Sequence, residues 1–153
     1  PYHITVHLSA DNMFQVSEGC YPEKDIVHRS WFLLPPAQEW YYRKSHPEYS
    51  TLPPYYPGCE QATDIEQIEL LYPRNLGGIY IPLENSGERS RVVFEAAHRN
   101  AREKLYWHLD EMFISETSVI HQIALNPEPG THVLTIMDSK GNMLRKRLVV
   151  IDK

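Results

Sequence analysis

The sequence predicts a mainly β protein whose second part is an immunoglobulin-like or fibronectin-III-like β-sandwich. From residue 67 onward, short runs of alternating apolar and polar residues follow one another, and turns rich in Gly, Pro and Asn separate them. A tryptophan, Trp107, lies in the middle of one such run. About seven short strands with turns at this spacing are typical of a two-sheet sandwich. We therefore divide the chain into a linker or strap segment, residues 1–66, and the sandwich, residues 67–153.

The first segment opens with an N-terminal strand at residues 2–8. Apolar and polar side chains alternate there, so that one face carries Tyr2, Ile4, Val6 and Leu8 and the other carries His3, Thr5 and His7. A turn-rich stretch then leads to a short apolar strand at 31–34, which two prolines end. The second of them, Pro36, suits the first turn of a short helix over 37–44, because an N–H at that position has no partner within the helix.

Residues 47–57 are crowded with prolines and tyrosines. Because proline removes a backbone donor and fixes φ, we predict an extended strap outside any sheet. We expect its aromatic side chains to pack against the sandwich or against a neighbouring domain. The alternative is an exposed surface that stacks on carbohydrate or contacts a partner, formed by Trp40, Tyr41, Tyr55 and Tyr56.

The second segment contains the predicted strands of the sandwich, at 68–71, 78–82, 91–97, 104–109, 112–114, 119–125, 132–137 and 144–151. Alternation places Leu105 and Trp107 on one face, and we predict both to be core residues. For the strand at 132–137, alternation leaves two choices, because either Val133 or Leu134 points inward. The Pro-Gly turn ending at Gly130 precedes that strand.

Charge and hydropathy argue against two classes of partner. The net charge is -5, and the Lys and Arg residues are scattered, whereas nucleic-acid binding requires them to be clustered. No apolar run approaches the roughly 20 residues that cross a bilayer. We therefore expect neither nucleic-acid binding nor membrane contact by this segment. Because the chain starts within a strand and without a Met, we also expect it to be part of a longer protein.

No catalytic or cofactor-binding motif is visible. The sequence contains no Ser-x-x-Lys, no Gly-x-Ser-x-Gly and no phosphate-binding glycine loop. Its eight histidines are dispersed, and His3 and His7 are four residues apart on one strand face, a spacing that does not favour a zinc site. We predict no catalytic residue, no metal ligand and no cofactor.

The two cysteines, Cys20 and Cys59, each lie among turn residues and fit neither a metal-ligand pair nor a Cys-x-x-Cys redox motif. They form either a disulfide, if the protein is exported, or two free thiols in a reducing compartment. Composition alone leaves both possibilities open.

The chain resembles the C-terminal domain of penicillin-binding protein 1C over the stretches 68–73, 78–82, 92–97, 105–110 and 129–138. Its Leu-Tyr-Trp and Pro-Gly-x-His-x-Leu elements are specific in combination. Residues 31–43, with the flanking Cys20 and Cys59, resemble the segment that links this domain to the transpeptidase in Bacteroidetes-type members.

The resemblance implies that the parent is a periplasmic, bifunctional peptidoglycan synthase, anchored in the inner membrane by an N-terminal helix outside this segment. Both of its catalytic domains, a glycosyltransferase and a transpeptidase, would precede the residues present here. No family catalytic residue carries over, and the structural residues that do are Trp107, Gly130 and His132. The implied role is a non-catalytic spacer or docking module beside the transpeptidase, and the alternative is a peptidoglycan-binding module. An exported parent also favours the Cys20–Cys59 disulfide.

Overall fold

The structure is a computed structural model that describes residues 2–59 and 65–151. These described residues fall into two compact units, which divide between residues 66 and 67.

The first unit is built on an antiparallel hairpin of two strands, β1 (His3–Leu8) and β2 (Val27–Phe32). A 3-10 turn (Glu23–Asp25) precedes β2, and the helix α1 (Pro36–Ser45) follows it. The apolar face of β1 is its inner face, because Val6 and Leu8 are buried whereas His3, Thr5 and His7 are exposed. The predicted strand and helix are therefore both present.

The predicted strand at 31–34 was placed too late in the chain. β2 begins at Val27 and ends at Phe32, while Leu33 and Leu34 are buried beyond its end. The reason is that β2 gains its strand conformation by pairing with β1 through an exposed polar stretch, His28 to Ser30. A search for an apolar run does not detect such a strand.

The strap is extended and is hydrogen-bonded to other residues of the first unit. Gln15 holds it at three points, because its backbone N–H donates to Pro54 O (2.8 Å), its carbonyl accepts from Tyr56 N (2.9 Å) and its side-chain amide donates to Pro53 O (2.7 Å). Trp31 Nε1 donates to Ser50 O at 3.1 Å. The strap therefore lies against the core of its own unit.

The second unit is mainly β, as predicted, and consists of two sheets. One sheet has the strand order β3-β5-β8 and the other β4-β10-β9-β6-β7. The strands are β3 (Ile68–Tyr72), β4 (Ile79–Tyr80), β5 (Val92–His98), β6 (Leu105–Leu109), β7 (Met112–Thr117), β8 (Gln122–Leu125), β9 (Gly130–Asp138) and β10 (Met143–Ile151). All pairings are antiparallel except β4 with β10, which is parallel.

The core of this unit contains side chains from both sheets, so the two sheets pack face to face as a β-sandwich. Phe94 and Ala96 come from the three-stranded sheet, and Trp107, Leu134 and Ile136 come from the five-stranded sheet. The choice that alternation left open on β9 is thus settled, because Leu134 and Ile136 point inward. The assignment to the immunoglobulin or fibronectin-III class stays a prediction.

Two predicted strands of the sandwich, 78–82 and 119–125, are much shorter in the structure, and two, 112–114 and 132–137, are longer by three residues each. The run 78–82 forms only β4, and 119–125 forms only β8, because Val119 has a positive φ of 66° and is exposed together with Ile120. The run 112–114 extends to Thr117 in β7. A register shift between Trp107 and His108 marks a β-bulge in the pairing of β6 with β7.

Candidate binding surfaces and buried polar clusters

Trp107 and Leu105 lie in the centre of the sandwich, and both are 0 % exposed. The indole N–H of Trp107 donates to Thr117 Oγ1 at 2.9 Å, so the one polar atom of this side chain is paired. Both predicted core residues therefore have structural positions that are closed to solvent.

A buried histidine and a buried aspartate join the two sheets. His98, the last residue of β5, lies with its Nε2 2.8 Å from Oδ2 of Asp138, the last residue of β9. The tautomer of His98 follows from its other nitrogen, since Nδ1 accepts the backbone N–H of Asn100 at 2.8 Å. His98 Nε2 therefore carries the hydrogen and donates a hydrogen bond to Asp138 Oδ2.

Asp138 accepts further hydrogen bonds from the turn between β9 and β10. Its donors there are the backbone N–H groups of Lys140 and Asn142, both at 2.9 Å, and Asn142 Nδ2 at 2.7 Å. Burial alone would raise the pKa of Asp138, but these donors and His98 outweigh it and hold the pKa below its ordinary value. The carboxylate thus fixes the turn and the sheet contact together.

Two more buried polar residues lie in the same unit. His121 Nδ1 shares a hydrogen bond of 2.7 Å with the Thr117 hydroxyl, and burial lowers the pKa of His121. Glu103 Oε1 accepts the backbone N–H of Ser139 at 2.7 Å and also its hydroxyl. The Ser139 hydroxyl is therefore occupied as a donor to a carboxylate.

His132 and Asp110 form a second, more exposed pair. Nδ1 of His132 donates to Asp110 Oδ2 at 2.5 Å and Nε2 donates to Glu128 O at 2.6 Å, so both ring nitrogens act as donors. The hydrogen bond with Asp110 is the main cause that raises the pKa of His132, and the same bond lowers the pKa of Asp110. The pair fixes the β6–β7 turn to β9, because Asp110 Oδ1 also accepts Val133 N.

Gly130 begins β9 with a φ of +125°, and an added Cβ would meet no atom within 4 Å. Its requirement for glycine is therefore conformational, since only glycine adopts this φ without strain.

The face of the five-stranded sheet that points away from the core is mixed apolar and basic. Directly paired positions place Phe113, His108, Thr135 and Arg145 in one row across β7, β6, β9 and β10. We call this surface the outer face; beside that row it contains Tyr106, Val133, Met137, Met143 and Arg147. Phe113 is 59 % exposed and Met143 is 52 % exposed. Apolar side chains exposed beside cations are characteristic of protein-binding surfaces.

The outer face contains a broad, open depression of about 540 Å³, lined by Asp110, Glu111, Val133, Arg145, Lys146 and Arg147. Arg145 and Glu111 are 4.0 Å apart and largely exposed, so this ion pair is weak and the guanidinium remains available. The lining of the depression therefore combines three cations with two carboxylates.

Of the aromatic residues predicted as a binding surface, Trp40 and Tyr41 lie in one cluster and Tyr56 lies in another. Trp40 and Tyr41 meet edge to face at 4.7 Å, and Lys44 Nζ lies 3.5 Å above the centre of the Trp40 ring. Tyr56 contacts Phe14 and Tyr21, also edge to face. The rings within each of these contacts are thus close to perpendicular, while Tyr55 is half-buried and pairs with Gln15 through a β-bridge.

Cys20 and Cys59 form a disulfide, with their Cα atoms 5.5 Å apart. Cys59 is buried, and its N–H donates to Tyr56 O at 2.8 Å. The bond therefore fastens the end of the strap to the connection between β1 and β2.

Within residues 2–59 and 65–151, no group of three or more His, Cys, Asp or Glu side chains is placed to hold a metal ion. No helix in the same part of the chain has the length and apolar character needed to span a membrane.

A family model described as the Penicillin-Binding Protein C-terminus Family matches residues 57–151. The chain belongs to this family. The match includes every strand of the sandwich and the end of the strap, whereas residues 1–56 lie outside it. Neither a curated protein nor a solved structure matches the chain.

The predicted family, a penicillin-binding protein C-terminal domain, is therefore confirmed, and so is the β-rich fold. The details of the resemblance, namely type 1C and the Bacteroidetes-type linker, stay predictions. The His98–Asp138 pair is not predicted by any local pattern, because the two residues are 40 positions apart in the chain and meet only after the sheets pack. One signal was present, since Asp138 begins the turn Asp-Ser-Lys-Gly-Asn and an aspartate at that position often accepts backbone N–H groups.

Proposed function

We propose that this domain is a non-catalytic accessory module of a bifunctional peptidoglycan synthase and that it docks on the transpeptidase domain of the same polypeptide. The observation that carries the proposal is the family match, which spans the whole sandwich. The polar residues of its interior also support a structural role: His98, Glu103 and Asp138 are engaged in turns and sheet contacts.

The outer face is the surface that we propose for docking. It combines exposed aromatic and methionine side chains with the guanidinium groups of Arg145 and Arg147, so it fits a partner surface that is apolar with an acidic margin. The opposite side of the same sheet is closed, because its side chains fill the core of the sandwich.

A periplasmic location is part of the proposal. The Cys20–Cys59 bond supports it, since structural disulfides persist in oxidising compartments such as the periplasm. Anchoring of the parent by an N-terminal membrane helix follows from the family resemblance.

Calorimetric titration of the 153-residue chain with the separately purified transpeptidase domain of its parent tests the docking. We expect the double charge reversal Arg145→Glu, Arg147→Glu to weaken binding at least about tenfold, because like charges placed opposite each other at an interface cost several kcal/mol. The matched control is Arg91→Glu, an exposed arginine just before β5 in the other sheet, which should bind like the wild type. No binding by the wild type, or an equal loss in the control, would contradict docking.

The second candidate function is a peptidoglycan-binding module, and the 58 % exposure of Tyr41 favours it. The position of Lys44 over the Trp40 ring weighs against Trp40 as a stacking surface, because the ammonium occupies one face of the ring. Co-sedimentation with purified cell-wall sacculi separates the two functions. If the module binds sugar, wild-type protein is retained and the variants Trp40→Ala, Tyr41→Ala and Tyr55→Ala are released, whereas the docking proposal expects no retention.

A further inference from the structure

Two histidines face each other on the exposed side of the β1–β2 hairpin. His7 on β1 lies directly opposite His28 on β2. The backbone pattern of the hairpin places this pair at a position where side chains approach closely. Leu33 N donates to Tyr2 O, so in this register the hydrogen-bonded positions of β1 are its even-numbered residues. His7 instead directs its carbonyl away from β2, where it accepts the N–H of Val16. The His7–His28 position therefore belongs to the non-hydrogen-bonded pairs, in which cross-strand side chains are nearest.

The two imidazole rings converge through the same atom. Nδ1 of His7 lies 2.7 Å from Nδ1 of His28, and the rings are nearly perpendicular, at 87°, with centroids 4.8 Å apart. Both residues are exposed. The two ring nitrogens thus face each other within hydrogen-bond distance, one donating to the other, at a site that solvent reaches.

We propose that His7 and His28 form a two-histidine site for a divalent transition-metal ion of the Zn²⁺, Ni²⁺ and Cu²⁺ class, the ions that imidazole nitrogens prefer. A metal with bonds of about 2.05 Å to each nitrogen holds two adjacent ligands about 2.9 Å apart at the right angle of a square-planar or octahedral site, and about 3.3 Å apart at the tetrahedral angle that Zn²⁺ prefers. The observed separation of 2.7 Å is shorter than both values, so the ion replaces the shared proton and the pair opens by about 0.2–0.6 Å.

The remaining coordination positions belong to water or to a ligand from another molecule. The neighbouring pair on the same face, Thr5 opposite Ser30, has hydroxyl groups, which are poor ligands for these ions, and the third histidine, His3, lies at the far end of the strand beside Phe32. A two-ligand site with open positions is consistent with the finding that the described residues contain no group of three potential ligands.

Titration of the whole 153-residue chain with Zn²⁺ alone, followed by calorimetry and by NMR of the imidazole resonances, tests this site. We expect one ion per chain and a joint shift of the His7 and His28 resonances. The variants His7→Ala and His28→Ala should each weaken binding by roughly 100-fold, because a second ligand on the same scaffold adds on the order of 10²–10⁴ in affinity. Both positions are exposed, so circular dichroism should show that the variants remain folded.

His3→Ala is the matched control, because it removes an exposed histidine from the same face of the same strand. The control should bind Zn²⁺ as the wild type does. The proposal is overturned if His3→Ala weakens binding as much as His7→Ala, if the loss of His7 or His28 has no effect, or if the resonances of all the histidines shift together.

Discussion

His98 donates a hydrogen bond from Nε2 to Asp138 Oδ2 at 2.8 Å, and this contact ties the end of β5 in one sheet to the end of β9 in the other. The side chains are only 4 % and 1 % exposed. Burial of such a pair is costly unless every polar atom is satisfied. Here the donors of the 138–142 turn and the N–H of Asn100 satisfy it, so the pair specifies how the two sheets are positioned.

Asp138→Asn should destabilise the sandwich by about 3 kcal/mol, the cost of breaking a buried pair. The new amide NH₂ would face either His98 Nε2 or the backbone N–H groups of the turn. His98 cannot compensate by changing tautomer, because its Nδ1 already accepts from Asn100. Urea denaturation measures the effect. The matched variant Asp110→Asn breaks an exposed pair and should cost less than about 1 kcal/mol, and an equal cost at both sites would refute the role of Asp138.

Trp107→Ala should cost about 3–5 kcal/mol, because it removes a large side chain that is 0 % exposed and leaves a cavity. Trp107→Phe should cost less, since the ring is partly replaced and mainly the hydrogen bond to Thr117 is lost. Denaturation monitored by circular dichroism gives both values. The exposed-face substitution Tyr106→Ala is the comparison within the same strand. If Trp107→Ala leaves stability unchanged, Trp107 is not part of the core.

Acid should destabilise the sandwich through His121. Its pKa is lower in the folded state than the ordinary value of about 6.5, mainly because of burial. Between the two values the unfolded chain binds more protons, so the stabilisation is fully present above about pH 6.5 and is lost as the pH falls toward the folded pKa. Unfolding free energies at pH 7.5 and 5.5 should differ less in His121→Gln than in the wild type, and an unchanged difference would rule His121 out.

The stabilisation by the His132–Asp110 pair should be lost as the pH rises, whereas the stabilisation linked to His121 is lost as the pH falls. The pKa of His132 is raised in the folded state, so its contribution is present below about pH 6.5 and is lost as the pH rises through the folded pKa. The lowered pKa of Asp110 keeps the pair charged down to acidic pH. His132→Ala should therefore cost up to about 1 kcal/mol at pH 6 and less at pH 9. A cost that grows with pH would contradict this assignment.

Reduction of the Cys20–Cys59 bond should destabilise the first unit by about 4 kcal/mol, the chain-entropy value for a loop of this length. The double variant Cys20→Ser, Cys59→Ser should have the same effect. Hydrogen exchange, followed separately in the two units, should show faster exchange in β1 and β2 and unchanged exchange in β9. A thiol assay of denatured, unreduced protein should find no titratable thiol, and two reactive thiols would contradict the bond.

The sequence predicted those parts of the fold that depend on local patterns. Alternation identified β1 and β6 and placed Trp107 in the core, because each of those strands has one buried face. It failed for β2, which is polar over His28 to Ser30 and is a strand because of its pairing with β1.

The candidate sites were harder to predict for a related reason. His7 and His28 meet across a hairpin whose connection, residues 9–26, is too long for a two-residue hairpin turn to predict the pairing, and the two Nδ1 atoms approach each other only after that pairing. The row formed by Phe113, His108, Thr135 and Arg145 likewise depends on the register of four strands. The spacing of residues along a single strand predicts neither the His7–His28 contact nor this row.

The bulge between Trp107 and His108 has a consequence for association between copies of the domain. β7 is an edge strand and exposes Met112, Phe113 and Ile114, a combination that invites another strand to add to the sheet and start aggregation. Ile114 lies at the bulge, where the pairing register of the edge changes. A bulge bends and twists an edge, so an incoming strand cannot stay in register along its whole length. We therefore expect the irregularity opposite the central tryptophan to protect the domain against polymerisation through this edge.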